Sequence, residues 1–106
     1  MVISKGIEMK GVCRSIVRIL KIIEVIFRDV DQTLVIIGSN WGHDGMRFAH
    51  ESGNAIDICP PAKKRYLVLT RIRLCLGWNY IVLDERSHLH IEFCPMPLLR
   101  KQRGNT

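Results

Sequence analysis

No C-x-x-C pair occurs among the four cysteines, which stand apart at positions 13, 59, 75 and 94. Their spacing fits no zinc-finger pattern, and it reads as reduced, mostly buried thiols rather than as a disulfide framework. Long apolar runs are also missing. The most hydrophobic stretch, 12–27, is interrupted by Arg14, Arg18, Lys21 and Glu24, so it is not a membrane span. The first ten residues carry two lysines and a glutamate, without an apolar segment and small-residue cleavage site; no leader peptide is expected, and synthesis is expected in the cytoplasm. Acidic residues are in deficit, ten against sixteen Lys and Arg, for a net charge of +6. That surplus suits an anionic partner such as nucleic acid, an acidic membrane face or a bacterial cell wall, and does not choose among them. A nucleic-acid partner finds no support in a stacking-aromatic motif or zinc-finger spacing.

What is present fits one domain. The 106 residues are 47% hydrophobic and 25% charged, ordinary values for a globular chain. So short a chain has little stability to spare, and a bound metal would add to it. Between Val12 and Arg28 the polar residues fall mostly three or four apart, leaving Ile16, Val17, Ile19, Leu20, Ile23, Ile26 and Phe27 as a broad apolar stripe. This spacing predicts an amphipathic helix. Thr33 to Ile37 reads as a buried strand closed by Gly38-Ser39, and a loop over 40–48 then carries His43, Asp44 and Arg47. A second strand is expected at Asn54 to Cys59, stopped by Pro60-Pro61. A second helix is expected at Ala62 to Leu76, stopped by Gly77, with Lys63, Lys64, Arg65, Arg71 and Arg73 as its wet face. Strands at Tyr80 to Leu83 and Leu89 to Phe93 flank a polar connection at 84–87, and the basic tail after about 97 is expected to fray. The order predicts a single α+β domain over residues 1–106, with two helices packed on a small, mostly antiparallel sheet.

Chemistry concentrates in two segments. His50-Glu51-Ser52-Gly53-Asn54-Ala55-Ile56-Asp57 has the form H-x-x-G-x-A-x-D. On a strand, Ile56 and Ile58 face the core while Ala55 and Asp57 share the other face, which Gly53 and Ala55 leave nearly bare. In His88-Leu89-His90-Ile91 the two histidines likewise point together, away from Leu89 and Ile91. His50, Asp57 and His90 form a three-ligand set of two imidazoles and a carboxylate, which suits zinc and leaves a fourth position for water, as catalytic rather than structural zinc requires. Glu51 and Glu92 are expected to point elsewhere. Trp41 and Trp78 read either as the lining of a groove or as filling beneath loops, and Cys59 and Cys94 as core.

H-x-x-G-x-A-x-D followed by H-x-H on a late strand resembles the M15 group of zinc peptidases, which includes D-alanyl-D-alanine peptidases and phage L-alanyl-D-glutamate endolysins. It is also similar to the amino-terminal domain of hedgehog proteins, which shares that fold. The likeness runs from about Leu34 to Pro95 and includes G-W-N-Y-I-V-L-D ahead of H-L-H. It implies zinc held by His50, Asp57 and His90, with His43 flanking the metal and His88 beside its water. It also implies a peptidoglycan stem peptide as substrate, and a phage or prophage lysis enzyme acting at the cell wall after release.

Two positions depart from the pattern. Phe48 stands where many of these enzymes have serine, and Ser87 stands where many have the catalytic carboxylate. Hedgehog spacing instead points to Asp84 as the base, and some phage proteins of the group point to Glu85; the reading leans to Asp84. No counterpart of the hedgehog acidic calcium-binding cluster is present. The implied chemistry needs each remaining group. Zinc lowers the pKa of its water to about 7, and a carboxylate takes the proton. A donor, here His88, meets the oxyanion, and Arg47 can pair with a substrate carboxylate. A zinc-containing binding or signalling module without hydrolysis, and a basic nucleic-acid-binding protein, are the alternatives.

Overall fold

The computed structural model describes residues 1–39 and 53–95. Among them, five strands and two helices follow in the order β1 (Val2–Ile3), α1 (Arg14–Arg28), β2 (Val35–Gly38), β3 (Ala55–Ile58), α2 (Arg65–Leu76), β4 (Tyr80–Asp84) and β5 (Leu89–Phe93). The strands form one sheet in the order β1-β2-β3-β5-β4. It is mixed: β1 runs parallel to β2, and the other three pairings are antiparallel. The α+β class and the two helices agree with the sequence reading, which had no counterpart of β1.

Helix α1 forms where the apolar spacing requires it. Ile16, Ile19, Leu20, Ile23, Ile26 and Phe27 are buried, one stripe along fifteen residues. Helix α2 buries Val68, Leu69, Ile72 and Leu76. It begins at Arg65 rather than Ala62 because Lys64 is left-handed, with φ 56°, and a helix cannot run through that conformation. It ends where expected, at Gly77, whose φ of 77° favours glycine. Both helix stripes pack with Ile36, Ile56, Ile58, Val82, Leu89 and Ile91 into one core. Arg71, midway along α2, pairs at 3.1 Å with Asp29 at the C-terminal end of α1, and the Tyr80 hydroxyl donates to the Ser15 carbonyl at the start of α1.

Most of the expected wet face of α2 is engaged. Arg65 forks onto Asp84, Arg71 meets Asp29, and Arg73 donates from Nε and Nη2 to the Val82 carbonyl at 3.3 and 2.9 Å. Lys63 and Lys64 are exposed. The cysteines also depart from expectation. All are free thiols, but only Cys94 is buried; Cys13 is half-buried, and Cys59 and Cys75 are exposed. Cys59 lies just past the end of β3, and Cys75 lies off the buried stripe of α2. Trp78, 82% exposed, does not fill space beneath a loop, while Trp41 lies outside the described residues.

Gly53, read from sequence as leaving room beside Asp57, has a different task. Its φ is +79°, and a Cβ there would lie 2.0 Å from the Gly11 carbonyl oxygen. Its own carbonyl accepts from the Cys13 amide at 2.8 Å, so the segment ahead of α1 lies directly on the start of β3. Gly53→Ala is therefore expected to destabilise the protein by about 2–3 kcal/mol, combining a left-handed alanine with backbone displacement. Urea denaturation measures this, and a loss below 0.5 kcal/mol would show that the close approach relaxes without cost.

Candidate metal centre

Strand pairing assembles the described part of the site. Asp57 on β3 is directly opposite His90 on β5, and Ala55 is opposite Glu92. Ile56 and Ile58 on β3, with Leu89 and Ile91 on β5, occupy the alternate positions and enter the core. Asp57 and His90 consequently share the other face of the two inner strands, as the alternation predicted. A bulge between Ile36 and Gly38 brings Gly38 opposite Asp57 from the β2 side. Ala55, Asp57, His90 and Glu92 are all buried.

The His90 ring lies between two carboxylates. Its Nδ1 is 3.1 Å from Asp57 Oδ1, and its Nε2 is 3.1 Å from Glu92 Oε1. Burial alone would push the imidazole pKa down. Hydrogen bonds to Asp57 and Glu92, together with their charges, outweigh this and raise it to about 9. So raised, the ring is an imidazolium at neutral pH, donating to Asp57 from Nδ1 and to Glu92 from Nε2. His88, on the same face, has Nε2 3.9 Å from Asp57 Oδ2 and Nδ1 3.0 Å from the Ser87 hydroxyl.

Glu92 corrects the reading that it points elsewhere. In H-L-H-I-E the two histidines and the glutamate occupy alternate positions and so share a face, and this parity was the available signal. Asp84 is corrected in the other direction. It pairs with Leu89, placing it with the core-side positions of β5, whereas Leu83 pairs with His90. There Asp84 accepts from Arg65, through Nε at 3.1 Å and also through Nη2, and from the Arg86 amide at 3.0 Å. The Arg65 hydrogen bond, then that from the Arg86 amide, hold its carboxyl below the usual range. A carboxylate so engaged is a weak proton acceptor. Glu85 continues the ladder, its amide donating to the His88 carbonyl at 3.0 Å, so alternation puts the Glu85 position on the His88–His90 side.

The contact between Asp57 and His90 has the length of an ordinary hydrogen bond. Two ligands on a tetrahedral zinc with bonds of about 2.0–2.1 Å are separated by roughly 3.3 Å, close to the 3.1 Å between Asp57 Oδ1 and His90 Nδ1. A metal can replace the Nδ1 proton while Nε2–H keeps its acceptor. Among the described residues, no group of three His, Cys, Asp or Glu side chains is arranged to hold a metal by itself. His50, the third expected ligand, lies outside those residues, as do His43, Arg47, Asp44, Phe48 and Glu51. No family model, curated protein or solved structure matches the chain. No helix among the described residues is long and apolar enough to cross a membrane.

Proposed function

We propose that the protein is a zinc-dependent peptidase of the M15 type, hydrolysing an amide bond in peptidoglycan stem peptides. The observation that carries this reading is the buried Asp57–His90 pair, held by direct strand register at a spacing suited to one tetrahedral ion. In this reading His50 is the third ligand. Zinc, when bound, acidifies a water and polarises the scissile carbonyl. The chain's own groups do the rest. Glu85, on the ligand side of the hairpin, takes the proton from the attacking water and returns it to the leaving amine. His88 donates an N–H to the developing oxyanion, its ring steadied by Ser87. Arg47 pairs with a carboxylate of the substrate. Protein contacts made by Arg65, Arg71 and Arg73 weaken the case for a nucleic-acid-binding face on α2.

Turning Asp84 toward Arg65 leaves hydrolysis dependent on Glu85, and this favours one second reading, a zinc-containing binding module of the same fold that does not cleave. Purified protein incubated with peptidoglycan, with released stem-peptide fragments read by mass spectrometry and zinc by elemental analysis, separates the two. The expected result is near-stoichiometric zinc and fragment release in the wild type. Glu85→Gln is expected to lower turnover by about 10²–10⁴-fold with zinc retained, and Asp84→Asn to leave turnover unchanged. Zinc without cleavage in the wild type selects the binding module. A wild type without zinc overturns both readings.

A further inference from the structure

The buried carboxylate of Glu92 is not among the three expected ligands, yet it lies against one of them. The strand reads Leu89-His90-Ile91-Glu92-Phe93, and a buried carboxylate costs several kcal/mol unless something pairs with it. Its neighbours in register are Ala55 on β3 and Ile81 on β4, neither of which carries a polar side chain. Its Oε1 is 3.1 Å from the Nε2 of His90, the ring nitrogen that does not face Asp57. Ala55 is small enough to leave room for the glutamate beside the ring.

We propose that Glu92 is a positioning residue, whose carboxylate grips the far nitrogen of His90 and thereby aims Nδ1 at an ion shared with Asp57. This rests on the metal reading given above. An imidazole that gives one nitrogen to a metal retains a single N–H, and the acceptor of that N–H fixes the tautomer and the plane of the ring. In this chain two alternate positions of one strand supply ligand and acceptor together. The ring is therefore held by the strand geometry before any ion arrives, and a negative charge behind it strengthens Nδ1 as a donor.

The test uses the full chain with zinc alone as the probe, in competition against a chromophoric chelator at neutral pH. Visible absorption of the cobalt-substituted protein is recorded in parallel, and circular dichroism with excess metal confirms the fold. Glu92→Gln keeps the volume and an acceptor oxygen but removes the charge, while Glu92→Asp keeps the charge and withdraws the acceptor. The expected result is zinc binding about 10–100-fold weaker in both variants, with shifted cobalt bands in folded protein. A purely structural glutamate would change the melting temperature but not the cobalt spectrum. Wild-type zinc affinity and an unchanged spectrum in the variants overturn the positioning role and leave the metal reading standing. Failure of the wild type itself to bind zinc overturns both.

Discussion

Asp57→Ala is expected to be the most damaging single change at the site, losing zinc almost completely and about 2–3 kcal/mol of stability measured with chelator present. The cause is the arrangement around His90. With Asp57 gone, the imidazolium keeps its ion pair with Glu92 but loses the charged hydrogen bond at Nδ1, and such a bond is worth about 1.5–3 kcal/mol. For a small domain whose whole margin is about 5–15 kcal/mol, that is a large fraction. Asp57→Asn separates the contributions, because it keeps an acceptor oxygen and the volume while removing the charge. It is expected to lose zinc as strongly as alanine does and to destabilise less. Urea denaturation with chelator present gives the stability, and elemental analysis gives the metal. Wild-type zinc content in either variant would remove Asp57 from the ligand set.

The second large effect is a pH dependence of the metal-free protein. Its two carboxylate neighbours, Asp57 and Glu92, hold the His90 pKa up at about 9 in the fold, against an ordinary 6.5. A raised pKa in the native state means that the folded chain binds the proton more tightly than the unfolded one. The resulting stability is fully present below about pH 6.5 and is lost as pH rises through about 9. The difference of about 2.5 pK units corresponds to roughly 3 kcal/mol. The comparison to make is with His90→Gln, measured with chelator present. The gap in unfolding free energy between the two proteins is expected to narrow by about that amount between pH 6 and pH 10. A gap that stays constant would mean that the ring is neutral throughout. Saturating zinc is expected to abolish this dependence in the wild type, since the metal takes the place of the Nδ1 proton.

How much of this was readable in advance depended on whether a feature is local. The stripe from Ile16 to Phe27 needed only helical spacing, and α1 lies within two residues of its expected start. Alternation in Ala55-Ile56-Asp57-Ile58 and in Leu89-His90-Ile91 was enough to put Asp57 and His90 on one face, and the ladder between β3 and β5 completed the pairing. The same alternation carries Glu92, two residues beyond His90 and therefore on its face, against the expectation that it points elsewhere. Asp84 shows a different limit. With the strand expected to stop at Leu83, Asp84 belonged to the connection and had no side, whereas one further residue of β4 assigns it to the side of Leu89. The reach of Arg65 from α2 is a tertiary contact that no spacing could show. Gly53 likewise reads in sequence as empty space beside a ligand, because its contact with Gly11, distant along the chain, leaves no local signal. Strand β1 was missed because two exposed residues have no period to read.

The sheet's two outer rims are closed by different means, and the inner strands depend on both. An open rim with unsatisfied backbone groups recruits strands from other molecules. On one side β1 is only two residues long, too short to template a neighbour. On the other, the Arg73 guanidinium already engages the Val82 carbonyl of β4, so an incoming strand meets a cation where it would need an acceptor. The chain thus discourages fibrous self-association with one side chain from a neighbouring helix, and it does so without placing a proline or a charge within β4 ahead of Asp84.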